Sequence, residues 1–213
     1  MVFQPKHIAA RLGYTAWINV AYPEGGIILM LNPKCGNTSI KKAVLAAQGQ
    51  GVDRPHKRVP LLTRKEALRS PLRKIAVVRN PYARAVSLWH AQVRDAKTLS
   101  PLMKKCGFTA DMSFLEFLRQ LNRVDAYTEK HMRPQSPAFY LMWRYIPDEM
   151  IQIEDPEGWA RIQAQAPGLP DLPHANNSHA PDWRELCQGE AQRLILRRYG
   201  RDFEVCGYPV EIT

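Results

Sequence analysis

Between positions 34 and 39 the chain reads Lys34-Cys35-Gly36-Asn37-Thr38-Ser39, an ammonium, a carboxamide and two hydroxyls gathered around one glycine. Such a group suits the gripping of a phosphate or sulfate, because it joins a positive charge and hydroxyl donors to a backbone able to turn its N–H groups toward one point. Arg79 and Ser87 form a second pair of the same character farther along. For proton transfer the chain offers His7, His56, His90, His131, His174 and His179, and histidine fits that work because its ordinary pKa lies near neutrality. No carboxylate–histidine cluster has metal-binding spacing, and Cys35, Cys106, Cys187 and Cys206 are too widely spread for a Cys-x-x-Cys motif. The expected chemistry therefore uses no metal, and the thiols are expected to be free.

These residues need elements that hold them. Ile27-Ile-Leu-Met-Leu31 has the length and unbroken apolarity of a strand buried on both faces. Asn32-Pro33 ends it, since proline brings no N–H to a ladder. Thr38 or Ser39 is expected to cap a helix whose apolar positions are Ile40, Ala43, Val44 and Ala47. Strand, tight polar loop and helix together aim the loop N–H groups and the positive helix end at one point. The lysine precedes the glycine, so this is not the Gly-x-x-x-x-Gly-Lys-Ser/Thr loop of nucleotide hydrolases. Taken alone, the stretch also reads as an ordinary strand-to-helix turn with a solvated lysine.

Ile75-Ala-Val-Val78 repeats the pattern, with Arg79 at its carboxyl end, Asn80 as N-cap and Pro81 at the first position of a helix running to about Arg94. Ala85, Leu88 and Trp89 are its inward residues. Ligands of open parallel sheets bind beyond the carboxyl ends of the strands, so Lys34 and Arg79 are expected to line one crevice, with Ser87 the nearest hydroxyl on the helix. A surface ion pair is the alternative for Arg79.

Composition sets the frame. With 213 residues, 45% hydrophobic and 23% charged, the chain reads as one folded domain spanning 1–213. Its net charge of +10 calls for an anionic partner. The basic residues are scattered, without a polybasic tail, a helix-turn-helix signature or a stacking-aromatic pattern, which argues against nucleic acid. The apolar run at Ile27 is too short to cross a bilayer, and no export signal is read, so a soluble cytoplasmic protein is expected.

Two segments carry a resemblance to a known family. Asn32-Pro-Lys-Cys-Gly-Asn-Thr-Ser-Ile-Lys41 resembles the 5′-phosphosulfate-binding loop of sulfotransferases, and Val77-Val-Arg-Asn-Pro-Tyr-Ala-Arg-Ala-Val-Ser87 resembles their 3′-phosphate-binding segment. The likeness is to the carbohydrate sulfotransferases, and His131-Met-Arg-Pro-Gln135, Ile151-Gln-Ile-Glu154 and Tyr199-Gly-Arg-Asp-Phe…Gly-Tyr208 are similar to further pieces of that family. The resemblance implies an α/β, P-loop NTPase-like three-layer fold: a small parallel sheet flanked by helices, with a largely helical second half. It implies 3′-phosphoadenosine 5′-phosphosulfate (PAPS) as donor, held by Lys34, Cys35, Gly36, Asn37, Thr38 and Ser39 at the phosphosulfate and by Arg79 and Ser87 at the 3′-phosphate. Lys34 would also neutralise the leaving oxygen. The acceptor implied is a hydroxyl, of a carbohydrate or glycolipid, with peripheral membrane contact allowed. Relatives take their base from a histidine between the two phosphate segments, where His56 lies; His131 is the second candidate. Asn80 stands in place of the family's usual aspartate and Asn37 in place of serine. The animal members carry a membrane anchor, and none is expected here. A small-molecule kinase of related fold or a basic nucleic-acid-binding protein are the competing readings.

The remainder is read more coarsely. Residues 1–26 form an irregular lead-in, 48–60 a loop, and Thr63 to Arg69 a short helix. Ser113-Phe-Leu-Glu116 is a capping box opening a helix to about Leu121. Residues 166–181, with Pro167, Pro170, Pro173 and Pro181, are expected to be a mobile loop. Asp182 to Tyr199 is expected to be one amphipathic helix with Arg193, Arg197 and Arg198 at its negative end. Acceptor contacts are expected from 96–111 and 166–181.

Overall fold

The computed structural model describes residues 18–141, 144–172 and 181–212. In chain order the strands are β1 (Ile18–Tyr22), β2 (Ile27–Leu31), β3 (Leu61–Leu62), β4 (Arg73–Val78), β5 (Tyr140–Leu141), β6 (Arg144–Tyr145) and β7 (Glu149–Gln152). The helices are α1 (Asn37–Ala47), α2 (Pro55–Arg58), α3 (Arg64–Arg69), α4 (Pro81–Trp89), α5 (Pro101–Lys105), α6 (Phe114–Arg123), α7 (Pro156–Gln165), α8 (Trp183–Leu186) and α9 (Glu190–Cys206). These elements fall into two compact units, one of residues 18–79, 137–141 and 144–172, the other of 80–136 and 181–212.

The first unit is built on a five-stranded sheet of order β3-β1-β2-β4-β7. β2, β4 and β7 run parallel, whereas β1 is antiparallel to both β2 and β3. The sheet is thus mixed, not the all-parallel one expected, because the tight turn over Pro23–Gly26 leaves no room for the crossover that a parallel pairing needs. The same hairpin corrects the irregular lead-in: Ile18–Tyr22 is a strand, hidden from the sequence by the buried polar Asn19, whose Nδ2 donates to the Leu62 carbonyl at 3.4 Å. Residues 1–17 of the lead-in lie outside the described residues. All five residues of β2 are buried, as their unbroken apolarity predicts. Ile40 and Val44 of α1 and Trp159 and Ile162 of α7 belong with Leu29, Leu31, Ile75 and Val77 to one apolar core.

Several boundaries move. Gly36, at φ 71°, is the N-cap of α1, so the helix begins before Thr38 and Ser39, which sit in its first turn and do not cap it. The expected loop 48–60 contains the single turn α2. Thr63 caps α3 through a capping box with Glu66, and the short helix ends at Arg69 as expected. Residues 166–172 are tied down: Tyr22 Oη donates to the Pro167 carbonyl at 2.9 Å and Trp159 Nε1 to that of Pro170 at 3.2 Å. Residues 173–180 of the expected mobile loop, with His174 and His179, lie outside the described residues, as does His7.

The described part of the second unit is helical. α4 continues into a π-turn, His90–Arg94, ending where the sequence suggests. α6 carries the predicted capping box and buries Phe114, Phe117, Leu118 and Leu121. The single C-terminal helix is corrected to two, α8 and α9, parted at Gly189, whose φ of 59° favours glycine. α9 then runs to Cys206, because Tyr199, Phe203 and Cys206 keep the inward stripe going. Arg193, Arg197 and Arg198 therefore lie within the helix, not at its negative end, and Arg198 Nη1 donates to the Val124 carbonyl at 2.8 Å.

Candidate active site

The loop after β2 is shaped by its backbone. Lys34 has φ 71°, left-handed for a residue with a side chain, a conformation that costs about 1–3 kcal/mol and gathers at functional sites. Cys35 is wholly buried; its N–H donates to the Asn32 carbonyl at 3.2 Å and its Sγ–H lies 3.8 Å from the Pro33 carbonyl, so both serve the turn. At Gly36 a Cβ would stand 2.3 Å from Ile153 Cδ1 and push that methyl aside, and the φ of 71° there favours glycine. The first helical bond of α1 is from Ile40 N–H to the Gly36 carbonyl at 3.0 Å. The N–H groups of Asn37, Thr38 and Ser39 precede it and have no partner within the helix. No side chain caps this end and no acidic residue stands in its first turn. Nearby, the buried side-chain atoms Asn37 Oδ1 and Asn32 Nδ2 have no hydrogen-bond partner among the described residues. Such an end, with N–H groups pointing out of a helix terminus beside lysine and two hydroxyls, is receptive to an anion.

Arg79 closes one side. Its Nη1 donates to the Lys34 carbonyl at 3.1 Å and its Nε lies 4.0 Å from Glu154 Oε1. The arginine after β4 is thus joined directly to the loop after β2, as the parallel pairing of those strands predicts. His56 joins from α2: its Nε2 is 3.3 Å from Thr38 Oγ1 and its Nδ1 3.3 Å from Lys41 Nζ. Lys41 has only 3% of its surface exposed. It is a cation of this site that the sequence reading missed; its spacing of three from Thr38 on a helix was the available signal.

Ser87 and His131 belong to the second unit. Ser87 is half-buried on α4. His131 sits in a one-turn 3₁₀ helix, Lys130–Met132. Its Nδ1 lies 2.7 Å from Glu129 Oε1, and its backbone N–H donates to Glu129 Oε2 at 2.7 Å. Burial pushes the Glu129 carboxyl up, but the hydrogen bond and charge of His131, its N–H and Lys130 outweigh this and hold it below the usual range. Nε2 of His131 meets no hydrogen-bonding group among the described residues.

The segment that carries His131 is pinned by residues the sequence reading did not single out. Arg84 Nη2 donates to the carbonyls of His131 and Arg133, at 3.2 and 2.8 Å. Tyr199 Oη donates to the Met132 carbonyl at 2.9 Å. The buried Asp202 accepts the N–H groups of Gln135 and Ser136 at 2.7 and 2.8 Å. Burial raises the Asp202 pKa, opposed by Arg84 and by those N–H groups. The signal was present: all three lie inside segments already marked, Val77 to Ser87 and Tyr199 to Tyr208.

A mixed α/β sheet with an uncapped helix behind a lysine–hydroxyl loop and an arginine at the adjacent strand end is a framework for handling an anionic group. The chain belongs to the sulfotransferase family, whose model matches residues 21–209. No curated protein and no solved structure matches the chain. Membership makes it a transferase of sulfuryl groups, which implies a sulfate donor and an acceptor bearing a hydroxyl. Among the described residues no group of histidine, cysteine and carboxylates could hold a metal, and no helix is long and apolar enough to cross a membrane.

Proposed function

We propose that the protein transfers the sulfuryl group of PAPS to a hydroxyl of a carbohydrate or glycolipid, on a sheet of the P-loop NTPase-like kind. The observation that carries this is the uncapped N-terminus of α1 behind the Lys34–Ser39 loop, with Arg79 bonded to the Lys34 carbonyl. The phosphosulfate would be held by Lys34, Thr38, Ser39 and the N–H groups from Gly36 onward, with Cys35 shaping the turn. Arg79 and Ser87 would hold the 3′-phosphate. A soluble cytoplasmic enzyme acting on such acceptors without nucleic acid is part of the same reading.

In-line transfer requires the acceptor to lose a proton and the bridging oxygen to gain negative charge. Lys34 is the cation for the oxygen. His56, between the two phosphate segments, would be the proton acceptor, with His131, whose Nδ1 lies 2.7 Å from Glu129 Oε1, as the second candidate. As the acceptor oxygen bonds to sulfur and the sulfur–oxygen bond to the phosphate breaks, the acceptor's proton would pass to the histidine and the bisphosphate would leave with the bridging oxygen.

The test is a thermal-shift titration with 3′-phosphoadenosine 5′-phosphate beside 5′-AMP and magnesium-ATP. A ligand at a hundred times its Kd adds about 2.7 kcal/mol, which raises the midpoint of a domain this size by roughly 5–10 °C. Stabilisation by the bisphosphate but not by 5′-AMP is expected. No shift, or a larger one with magnesium-ATP, would refute the donor assignment.

A further inference from the structure

We propose that a cavity on the outer face of α6, within the second unit, binds a single saccharide ring. Its volume is about 330 Å³, within the span of small-molecule sites, about 300–1,000 Å³. Residues 109–112 and α6 line it together. Glu116, Arg119, Gln120 and Arg123 recur at i, i+3, i+4 and i+7, which is one face of the helix, opposite the buried Phe114, Phe117, Leu118 and Leu121. Met112, whose carbonyl accepts from Trp89 Nε1 at 2.9 Å, is the apolar member of the lining.

Most of the polar side chains here are fastened at one end and keep the other for a ligand. The Ser113 N–H and hydroxyl both donate to Glu116 Oε2, at 2.9 and 2.6 Å, which leaves Oε1. Thr109 Oγ1 donates to Asp111 Oδ1 at 2.5 Å, which leaves Oδ2. Arg119 spends Nε and Nη2 on Glu190, at 2.9 and 2.7 Å, and keeps Nη1. Gln120 Nε2 donates to the Cys106 carbonyl at 2.6 Å, and its Oε1 remains. Arg123 makes no hydrogen bond or ion pair among the described residues, so its whole guanidinium is available. The hydrogen bonds from Ser113 and Thr109 hold the Glu116 and Asp111 carboxyls below their usual range, so both are acceptors at neutral pH. Two carboxylates set against two guanidinium groups leave the lining without net charge, so it selects an ion of neither sign. Acceptors and donors packed around one apolar side chain match a neutral ring whose hydroxyls donate and accept from the same atoms. Side chains already held lose little freedom when such a ring arrives. Thr109 and Asp111 also close the 96–111 stretch from which acceptor contacts are expected. That the sugar belongs to the acceptor rests on the proposed transfer to a carbohydrate, whereas the fit to a polyhydroxyl ring rests on the lining alone.

The test uses the full chain labelled with nitrogen-15 for NMR. Methyl β-glucopyranoside, methyl β-galactopyranoside and their 2-acetamido counterparts are titrated in turn, with inorganic sulfate beside them. A ligand of that size binds at about 1 mM. At least one pyranoside is expected to shift the signals of residues 109–123, the Gln120 side-chain amide included, and to saturate near that concentration, while sulfate leaves them in place. Asp111 and Arg123 are exposed, so Asp111→Ala and Arg123→Ala keep the fold, and each is expected to weaken sugar binding about 3- to 10-fold, the worth of one hydrogen bond. No response to any of the pyranosides would overturn the inference. So would shifts that both replacements leave unaltered, or a response to sulfate alone, the mark of a bare arginine pair. Binding of 3′-phosphoadenosine 5′-phosphate is measured on the same samples: its failure strikes the donor reading and leaves the cavity standing, and failure of the sugars does the reverse.

Discussion

Replacing Arg84 with methionine should be among the most damaging single changes in the second unit. Arg84 is 2% exposed and serves three buried clients: the carbonyls of His131 and Arg133, and the charge of Asp202, itself wholly buried. Methionine fills much of the volume but leaves the carbonyls without their donor and the carboxylate without its cation. Leaving two carbonyls without their donor costs about 1–3 kcal/mol each, and at roughly 2–4 °C per kcal/mol for a chain of this size the midpoint should fall by about 4–24 °C. The assay is calorimetry and circular dichroism melting from pH 5 to 8. Because the folded pKa of Asp202 is raised, its contribution is fully present below the ordinary carboxylate range and is lost as pH rises through the folded value. Loss of Arg84 raises that pKa further, so the gap between variant and parent should be wider at pH 7 than at pH 5. Adding Asp202→Asn should recover part of the loss, since the uncompensated charge is then gone. A midpoint within 2 °C of the parent, or a gap that does not depend on pH, would show that these groups are not coupled as described.

Three further outcomes follow from the same geometry. Arg79→Ala should weaken 3′-phosphoadenosine 5′-phosphate binding by roughly 10- to 100-fold, since charge-assisted hydrogen bonds contribute about 1.5–3 kcal/mol; unchanged affinity in calorimetry would remove Arg79 from the 3′-phosphate site. Gly36→Ala places a methyl group 2.3 Å from Ile153 Cδ1 at φ 71°, so a loss of about 1–3 kcal/mol in denaturant titration is expected, together with weaker bisphosphate binding. The folded pKa of Glu129 is lowered, so its contribution to stability is present above the ordinary glutamate pKa of about 4.3 and is lost as pH falls through the folded value. Glu129→Gln should therefore flatten the decline of the melting midpoint below that pH, and an unaltered acid limb would show that the contact with His131 contributes nothing.

The sequence by itself determined the parts whose signals are local. Five unbroken apolar residues at Ile27, the short helix after Thr63, the capping box at Ser113 and the Asn80-Pro81 helix start are all readable because each rests on neighbours within a turn or a strand. The loop from Lys34 to Ser39 was legible for the same reason, as was the family to which it belongs. Tertiary structure decided what depends on distant partners. β1 is a strand because β2 and β3 pair with it, and Asn19 is tolerated inside because the Leu62 carbonyl receives its amide. The end of α9 lies beyond Tyr199 because Phe203 and Cys206 find a core to enter. The partners of the histidines were undecidable from residue type, since what each imidazole nitrogen faces is set by the fold. Lys41 and Thr38 occupy both nitrogens of His56, whereas Glu129 occupies one nitrogen of His131, and those contacts exist only once α2 crosses α1 and the 129–136 segment is fastened to Arg84, Tyr199 and Asp202.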